Sequence, residues 1–194
     1  IMCEELGIDY KVIPINITKN EQFNDNFLKL SPNNKIPAIY DHEDNISIME
    51  SGAILLYLAE KYKKFFPEKK NDRYKLMEWL MFQKSSQGPM LGQAHHFLKF
   101  NKGKSHYAEK RYKNEAERIY SVMDKRLSIS KYLGGEEYTI ADIASWPWVA
   151  RFEWHLVNLK NFKHVADWYI NISNREAVKK GYDIPSIGAS IPKI

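Results

Sequence analysis

The sequence predicts a two-part protein: a small α/β unit at residues 1–64, a linker at 65–72, and an all-helical part at 73–194. Three observations lead to this class. Two short strand-like runs precede an amphipathic helix in the first third of the chain. A charged stretch around Pro67 then interrupts the pattern, and the apolar residues beyond it recur every three or four positions. At 194 residues, the chain is long enough for two small domains.

The first elements of the α/β unit are a helix end and a strand. The opening IMCEELG reads as the end of a helix that Gly7 closes. In YKVIPINI, from Tyr10 to Ile17, alternating apolar residues predict a strand, and Pro14 places that strand near a sheet edge.

The rest of the α/β unit is predicted to be a short turn, a hairpin and a helix. Glu21 to Leu30 is expected to form a short helix or an irregular turn. Ala38 to Asp41 and Ser47 to Met49 are expected to pair as a hairpin, because the polar HEDN joins them. Ser51 to Tyr62 has one apolar face and is predicted to be a helix with Ser51 as its N-cap.

The second part is predicted to be a bundle of helices. Arg73 to Lys84 has almost no polar face, so we expect that helix to be covered on several sides, including by a second subunit. Apolar steps of three and four predict further helices from Ala108 to Leu127 and from Phe162 to Ile172. Thr139 and Asp142 have the spacing of a capping box, and a helix is expected to begin there.

The remaining segment is the tail after Gly181. It is rich in proline and glycine and is predicted to be extended.

Composition and charge narrow the class of protein. The net charge is +5, but Lys and Arg alternate with Asp and Glu, so no basic stripe for nucleic acid is expected. No run is long and apolar enough for a membrane helix, and no signal peptide is recognised. The single cysteine, Cys3, allows no internal disulfide and is expected to be a buried filler. A soluble cytoplasmic protein that binds a small anionic ligand is therefore expected.

Several stretches carry a resemblance to a known family: SPNNKIPAI, MESGAILLYLAEK, GPMLGQAHHF, RYKNEAERIYSVMDKRL and YTIADIASWPWV. Together they resemble the glutathione transferase superfamily, and more narrowly its bacterial nu class, which is associated with glutathione-dependent disulfide reduction. The resemblance spans nearly the whole chain. It implies a thioredoxin-like N-terminal domain without its first strand, followed by an all-α helical bundle.

The resemblance implies a glutathione site around two residue pairs. It implies a cis bond between Ile36 and Pro37, which would leave the Ile36 main chain free to pair with an extended tripeptide. At the helix start, Ser51 suits the γ-glutamyl carboxylate and Glu50 suits its ammonium group. Taken in isolation, the Glu-Ser pair would more simply be a cap and a solvated acid.

Other ligand contacts are implied by the resemblance alone. Gln22 and Lys35 match positions that hold the cysteinyl and glycyl portions, and either residue is otherwise plain surface. Arg111 matches an arginine that reaches the anionic groups of the ligand. Without the resemblance, Arg111 would be a solvated residue or the partner of Glu115.

A second-substrate pocket lined by Met90, His96 and Phe97 is also implied by the resemblance. His95 and His96 are adjacent, so on a helix they point about 100° apart and do not suit a metal. We therefore expect no metal site. Glutathione is the expected substrate and reductant.

The implied activity is disulfide reduction or transfer that uses the thiolate of bound glutathione. The residue that stabilises this thiolate is expected upstream of Ile1, so no catalytic residue is named within the sequence. The alternatives are conjugation of electrophiles as the main activity, or a non-catalytic interaction module with the same fold. A homodimer is expected through the helices Ser51–Tyr62 and Arg73–Lys84.

Overall fold

A computed structural model describes residues 1–186, 188 and 190–194 of the chain. Its regular elements are, in chain order, α1 Met2–Leu6, α2 Asp25–Leu28, β1 Ala38–Asp41, β2 Ile46–Met49, α3 Ser51–Tyr62, α4 Lys70–Phe82, α5 Gly88–Ala94, α6 His106–Leu127, α7 Ile140–Val149, α8 Lys163–Ser173 and α9 Glu176–Tyr182. Short 3-10 turns lie at Ile17–Lys19, Glu21–Phe23, Phe152–His155 and Leu159–Asn161, and π-helical turns lie at Gln83–Gln87 and His95–Phe100.

The α/β unit is built mostly as its sequence predicts. The helix α1 ends at Gly7, whose φ of 68° is the left-handed conformation that glycine adopts without strain. The strands β1 and β2 form an antiparallel hairpin, and the helix α3 has the predicted bounds. These elements place the hairpin directly before the helix.

The predicted strand from Tyr10 to Ile17 is wrong. This segment forms no ladder, and the sheet in the described part of the chain contains only β1 and β2. Ile13 is 72% exposed, and Val12 and Ile17 are also exposed. Alternating apolar residues favour a strand only where a neighbouring strand can satisfy the backbone, and no described strand is its neighbour.

A cluster of charged side chains holds the hairpin against α3. The Lys61 ammonium lies 2.7 Å from Asp41 and 2.9 Å from both Glu43 and Asp44. The Tyr57 hydroxyl donates to Asp41 and Asp44 at 2.7 and 2.5 Å. The turn of the hairpin is therefore bonded to the last turns of α3. The same helix begins where the second strand of the hairpin ends.

The helical part has the predicted helices with different ends. The helix α4 begins at Lys70, three residues before the predicted Arg73, and continues as a π-helical turn after Phe82. The helices α6 and α8 bury the stepped apolar residues that predict them.

Within one chain, α4 is not covered on several sides as its sequence predicts. Leu76 and Leu80 are fully buried, but Tyr74 is 62% exposed and Met81 is 45% exposed. One face of α4 therefore packs inward, and the chain leaves apolar side chains elsewhere on the helix open.

The predicted capping box is confirmed at the start of α7. The Thr139 N–H and hydroxyl donate to Asp142 at 3.1 and 3.0 Å. The Leu133 N–H and the Trp168 indole donate to the other oxygen of Asp142, both at 2.9 Å. Because Asp142 is fully buried, this cap is also the centre of a core network.

The two parts of the chain are held together at their far ends. Arg175, just before α9, makes two hydrogen bonds to Glu5 of α1, at 2.5 and 2.7 Å.

The tail predicted after Gly181 starts with a turn at 183–186, and Ile187 and Ala189 lie outside the described residues. Among the helices of the described residues, none has the length and apolar character needed to cross a membrane.

Candidate functional site

The register of the hairpin creates the candidate site. Ala38 faces Met49 across the antiparallel ladder. The residues just before Ala38 and just after Met49 therefore leave the ladder at the same end, where the Cα atoms of the last opposed pair lie about 5 Å apart. These residues are the pairs Ile36–Pro37 and Glu50–Ser51, which lie in separate stretches of the sequence.

The loop side of the site presents an open main chain. The Ile36–Pro37 peptide bond is cis, and Ile36 is 53% exposed. In the described part of the chain, no main-chain hydrogen bond involves the Ile36 amide or carbonyl. The loop is held from behind, because the Ser31 hydroxyl donates to the Lys35 carbonyl at 2.8 Å. An incoming strand-like ligand would find both Ile36 groups free.

The helix side of the site contains a strained residue. Glu50 has φ 67° and ψ 115°, a conformation that a residue with a Cβ adopts only at an energetic cost. Its exposed carboxylate accepts a long hydrogen bond, 3.4 Å, from the Asn33 side chain. No pattern in the sequence indicates Asn33, which joins the loop side to the helix side.

A lysine from the helical part completes the helix side. The Lys84 ammonium, in the π-helical turn after α4, donates to the Ser51 hydroxyl at 2.7 Å. Burial lowers the pKa of Lys84 to about 8, and the Glu50 carboxylate opposes that shift. The sequence offered no local signal for this contact beyond a lysine at the end of a nearly all-apolar helix.

Gln22 and Lys35 occupy different environments. Lys35 is exposed in the loop before Ile36. The Gln22 amide oxygen is buried and has no hydrogen-bond partner among the described residues. No described hydrogen bond joins either side chain to Glu50 or Ser51, so their roles stay predictions.

Arg111 lies in a separate cavity of about 690 Å³ between α5 and α6. Glu115, the simple partner suggested by spacing, is bound instead by Arg118 through two hydrogen bonds of 2.7 and 2.8 Å. No ion pair in the described part of the chain involves Arg111. The cavity is lined by Met90, Tyr107, Lys110, Arg111, Tyr112, Asn114, Glu115 and Arg118.

The three residues predicted for the second-substrate pocket take different positions. Met90 lines the cavity beside Arg111. Phe97 is half-buried and stacks on Tyr112, a cavity residue, with ring centres 5.4 Å apart. His96 is exposed, lies near Asn101 and is not among the lining residues. The structure therefore brings Met90, Phe97 and Arg111 together and leaves His96 outside the lining of the cavity.

His95 points into the protein instead. Its Nε2 lies 2.7 Å from Nε2 of His155, and Nδ1 of His155 lies 3.0 Å from the Tyr120 hydroxyl. Burial lowers the pKa of His95 to about 4 and that of His155 to about 3. Within the described residues, no group of three His, Cys, Asp or Glu side chains is arranged to hold a metal.

Cys3 is half-buried in α1, and burial raises the pKa of its thiol. A thiol with a raised pKa is a poor nucleophile near neutral pH. Cys3 is therefore poorly suited to act as a nucleophile.

Comparison with known proteins gives a family for both parts of the chain. Residues 1–60 match the glutathione S-transferase N-terminal domain, and residues 88–176 match the glutathione S-transferase C-terminal domain. The chain is 44% identical to the disulfide-bond oxidoreductase YfcG of Escherichia coli over 182 residues. This match covers 91% of this chain and 85% of that protein.

Solved structures of similar proteins contain glutathione. A glutathione transferase family member from Pseudomonas fluorescens, with two glutathione bound, is 38% identical with a TM-score of 0.88, over 93% of this chain and 85% of that one. A glutathione transferase from Pseudomonas putida, with one glutathione disulfide bound per subunit, is 38% identical with a TM-score of 0.89, over 95% and 84% of the two chains.

These matches extend over the hairpin, the start of α3 and the helices around the cavity, and they confirm the predicted fold class, a thioredoxin-like domain followed by a helical domain. The protein is a member of the glutathione S-transferase family.

Proposed function

We propose that this protein is an enzyme that reduces disulfide bonds with glutathione, as a disulfide-bond oxidoreductase of the glutathione transferase type. One observation carries the proposal: the pairing of Ala38 with Met49 brings Ile36–Pro37 and Glu50–Ser51 to the same end of the hairpin. A strand rung and a helix start so arranged suit a tripeptide with one extended residue and a zwitterionic end.

The γ-glutamyl end of glutathione is assigned to the start of α3. Its carboxylate would accept hydrogen bonds from the Ser51 N–H and hydroxyl, where the helix dipole favours negative charge. Its ammonium group would lie against the exposed Glu50 carboxylate. The strained conformation of Glu50 supports this role, since such strain is concentrated at functional sites.

The cysteinyl residue of glutathione is assigned to the main chain of Ile36. Its N–H and carbonyl would pair with the free carbonyl and N–H of Ile36, as in the addition of a strand to a sheet edge. Gln22 and Lys35 would contact the cysteinyl and glycyl portions. The fit of Lys35 is simple, because an exposed ammonium beside the rung suits the glycyl carboxylate.

The cavity between α5 and α6 is assigned to the second substrate. Arg111, which has no ion pair in the described chain, suits a carboxylate of a second glutathione or of a small disulfide. Met90 and the Phe97–Tyr112 stack would contact its apolar portion. The two glutathione molecules bound to the P. fluorescens relative and the glutathione disulfide bound to the P. putida relative support a site of this size.

The proposed reaction is thiol–disulfide exchange in two steps. The thiolate of bound glutathione attacks one sulfur of the substrate disulfide, forms a mixed disulfide and expels the other sulfur as a thiolate, which takes up a proton. A second glutathione thiolate then attacks the glutathione sulfur of the mixed disulfide and releases the second thiol. Two glutathione molecules give up two electrons and become glutathione disulfide. We assign no described residue to stabilise the attacking thiolate.

We further propose that the protein acts as a homodimer in the cytoplasm. The exposed Tyr74 and Met81 of α4 support an apolar subunit interface. A reducing compartment suits an enzyme that consumes a reduced thiol, and the single Cys3 requires no oxidising environment.

The test compares a disulfide substrate with an electrophile in the same enzyme. We expect turnover of hydroxyethyl disulfide with glutathione to exceed turnover of an aryl halide. Glu50→Gln, which removes the charge and keeps the size, should abolish the heat of glutathione binding in calorimetry. Glu60→Gln on the same helix should bind as the wild type does, because Glu60 is exposed outside the site.

Each unfavourable outcome has its own meaning. Faster conjugation of the aryl halide would replace disulfide reduction with conjugation as the main activity. Absence of any heat with glutathione in the wild-type chain would overturn the proposal in favour of a non-catalytic module.

A further inference from the structure

Lys84 is a partly buried cation on which the Glu50 carboxylate acts, although the two form no ion pair among the described residues. Its ammonium makes one hydrogen bond, to the Ser51 hydroxyl at 2.7 Å, and no ion pair in the described chain includes it. Lysine side chains are seldom withdrawn from water without a carboxylate partner, because the charged form loses its hydration. A cation withdrawn from water in this way would be stabilised by an anion.

The surroundings of Lys84 hold its side chain in place. A Cβ added at Gly52 would lie 3.1 Å from Cε of Lys84, so the lysine stem crosses α3 where that helix has no side chain. Lys84 also lies in the π-helical turn Gln83–Gln87, an irregularity that is frequent at functional sites. The turn belongs to the helical part, whereas Ser51 belongs to the α/β part.

We propose that Lys84 is a glutathione-binding residue, whose ammonium contacts the γ-glutamyl carboxylate beside the Ser51 hydroxyl. This inference rests on the proposed function, and it adds a contact from the helical domain to a subsite otherwise built by the first domain. Binding at this subsite would then join the two domains through the ligand.

The hydrogen-bonding capacity of the two side chains fits this role. The Ser51 oxygen accepts from Lys84, which leaves the serine O–H free to donate to a carboxylate. Lys84 has two further N–H donors for the same group. Glu50 is the charged group that acts on Lys84 from α3, and the neighbouring Gln83, Ser85 and Gln87 are neutral. A zwitterion that places its ammonium on Glu50 thus brings its carboxylate to the lysine.

The proposal also predicts an effect on stability that a purely structural lysine would not have. Replacing a structural Lys84 should destabilise the fold. Replacing a buried cation whose role is to bind a ligand removes the cost of desolvating that charge. Lys84→Met, with an apolar side chain, should therefore leave the melting temperature unchanged or raise it. Binding should therefore weaken without a loss of stability.

The test is calorimetry with S-methylglutathione, which has no thiol to titrate, at pH 7.5 and 8.5 in two buffers of different ionisation enthalpy. Lys84→Met should weaken binding about tenfold or more, the size expected for a lost charge-assisted contact. The pKa near 8 means that the wild type should take up a fraction of a proton at pH 8.5 as the carboxylate arrives, in excess of Lys84→Met.

Two control variants separate the explanations. Lys84→Arg, which stays charged throughout this pH range, should bind within a few fold of the wild type but lose the excess proton uptake. Lys102→Met, at an exposed lysine, should match the wild type in both. Unchanged affinity and proton uptake in Lys84→Met would overturn the inference alone. Absence of binding in the wild type would overturn it together with the proposed function.

Discussion

His95 and His155 face each other across the interior with parallel rings, 4.6 Å between their centres, and a pair of Nε2 atoms 2.7 Å apart. Only one hydrogen can lie between those two nitrogens, so at least one of them must be unprotonated. The ring that carries the unprotonated Nε2 is therefore neutral. Burial lowers the pKa of both imidazoles below the ordinary 6.5, and the positive charge of Arg151 adds to this for His95. The pair is therefore stable while both rings are neutral.

This pair predicts an acid-sensitive contribution to stability. Below pH 6.5 the unfolded chain protonates both histidines, whereas the folded chain resists until about pH 4, so the free energy of unfolding falls as pH falls through that window. Each proton difference contributes about 1.4 kcal/mol per pH unit. We expect His155→Gln to reduce the slope of stability against pH by about one proton between pH 6 and 4.5.

Urea unfolding at a series of pH values measures this slope. His106→Gln, at an exposed histidine, is the matched control and should keep the wild-type slope. Equal slopes in the wild type and His155→Gln would mean that the buried pair does not titrate as a neutral pair.

At this same scale, the sequence indicates the candidate residues whose proposed role depends on their neighbours in the chain. Pro37 follows Ile36 directly and Ser51 follows Glu50, so short motifs reveal both pairs. Lys84 was missed because its partner Ser51 lies 33 residues away in the chain, and no local pattern encodes that contact. The spacing of Arg111 and Glu115 suggested a pair that the structure gives to Arg118, since both separations are allowed on a helix.

At the scale of elements, the start of α7 shows that a sequence motif can predict a helix cap correctly and still underestimate its contribution to stability. The Thr139–Asp142 spacing predicts the helix start correctly. The sequence does not reveal that the Leu133 N–H and the Trp168 indole also donate to Asp142. An ordinary cap contributes about 1 kcal/mol. Loss of Asp142 would instead leave several buried donors without an acceptor.

We therefore predict that Asp142→Ala lowers the free energy of unfolding by more than about 3 kcal/mol, since each orphaned buried donor costs about 1–3 kcal/mol. Asp142→Asn should also destabilise, because its amide N–H₂ would face donors. The control is Ser105→Ala at the start of α6, where the serine accepts one partly buried hydrogen bond and should cost about 1 kcal/mol. Chemical denaturation measures all three. Equal losses of unfolding free energy in the Asp142 and Ser105 variants would mean that Asp142 acts only as an ordinary helix cap.

Helices and strands differed in how far their own sequence determined them. The helix α3 satisfies its backbone internally, so the pattern from Ser51 to Tyr62 gave correct bounds. The segment from Tyr10 to Ile17 has a strand pattern but needs a partner strand, and it forms none among the described residues. The π-helical turns were not predicted, because an extra residue in a helical turn leaves no simple mark in the apolar spacing.

At the scale of the whole molecule, contacts distant in the chain hold the two domains in one arrangement. Glu5 and Arg175 are 170 residues apart, and Lys84 reaches Ser51 from the other domain. The Glu5 carboxylate is nearly fully buried, and the Arg175 guanidinium also lies 4.2 Å from the centre of the Tyr138 ring. The candidate site at the start of α3 is thus positioned from both sides, by its own hairpin and by the helical domain.

The exposed side chains of α4 carry the last prediction. Tyr74 and Met81 are seven residues apart, so they lie on the same face of the helix, and both are substantially exposed. Large apolar side chains that share an exposed face are typical of an interface between subunits. We predict that the wild-type protein sediments at twice the chain mass at micromolar concentration, and that Tyr74→Lys with Met81→Lys sediments as a monomer with unchanged helix content. Ile129→Lys, at a residue 76% exposed after α6, should remain a dimer. A monomeric wild type, or a double variant that stays dimeric, would place the subunit interface elsewhere or remove it.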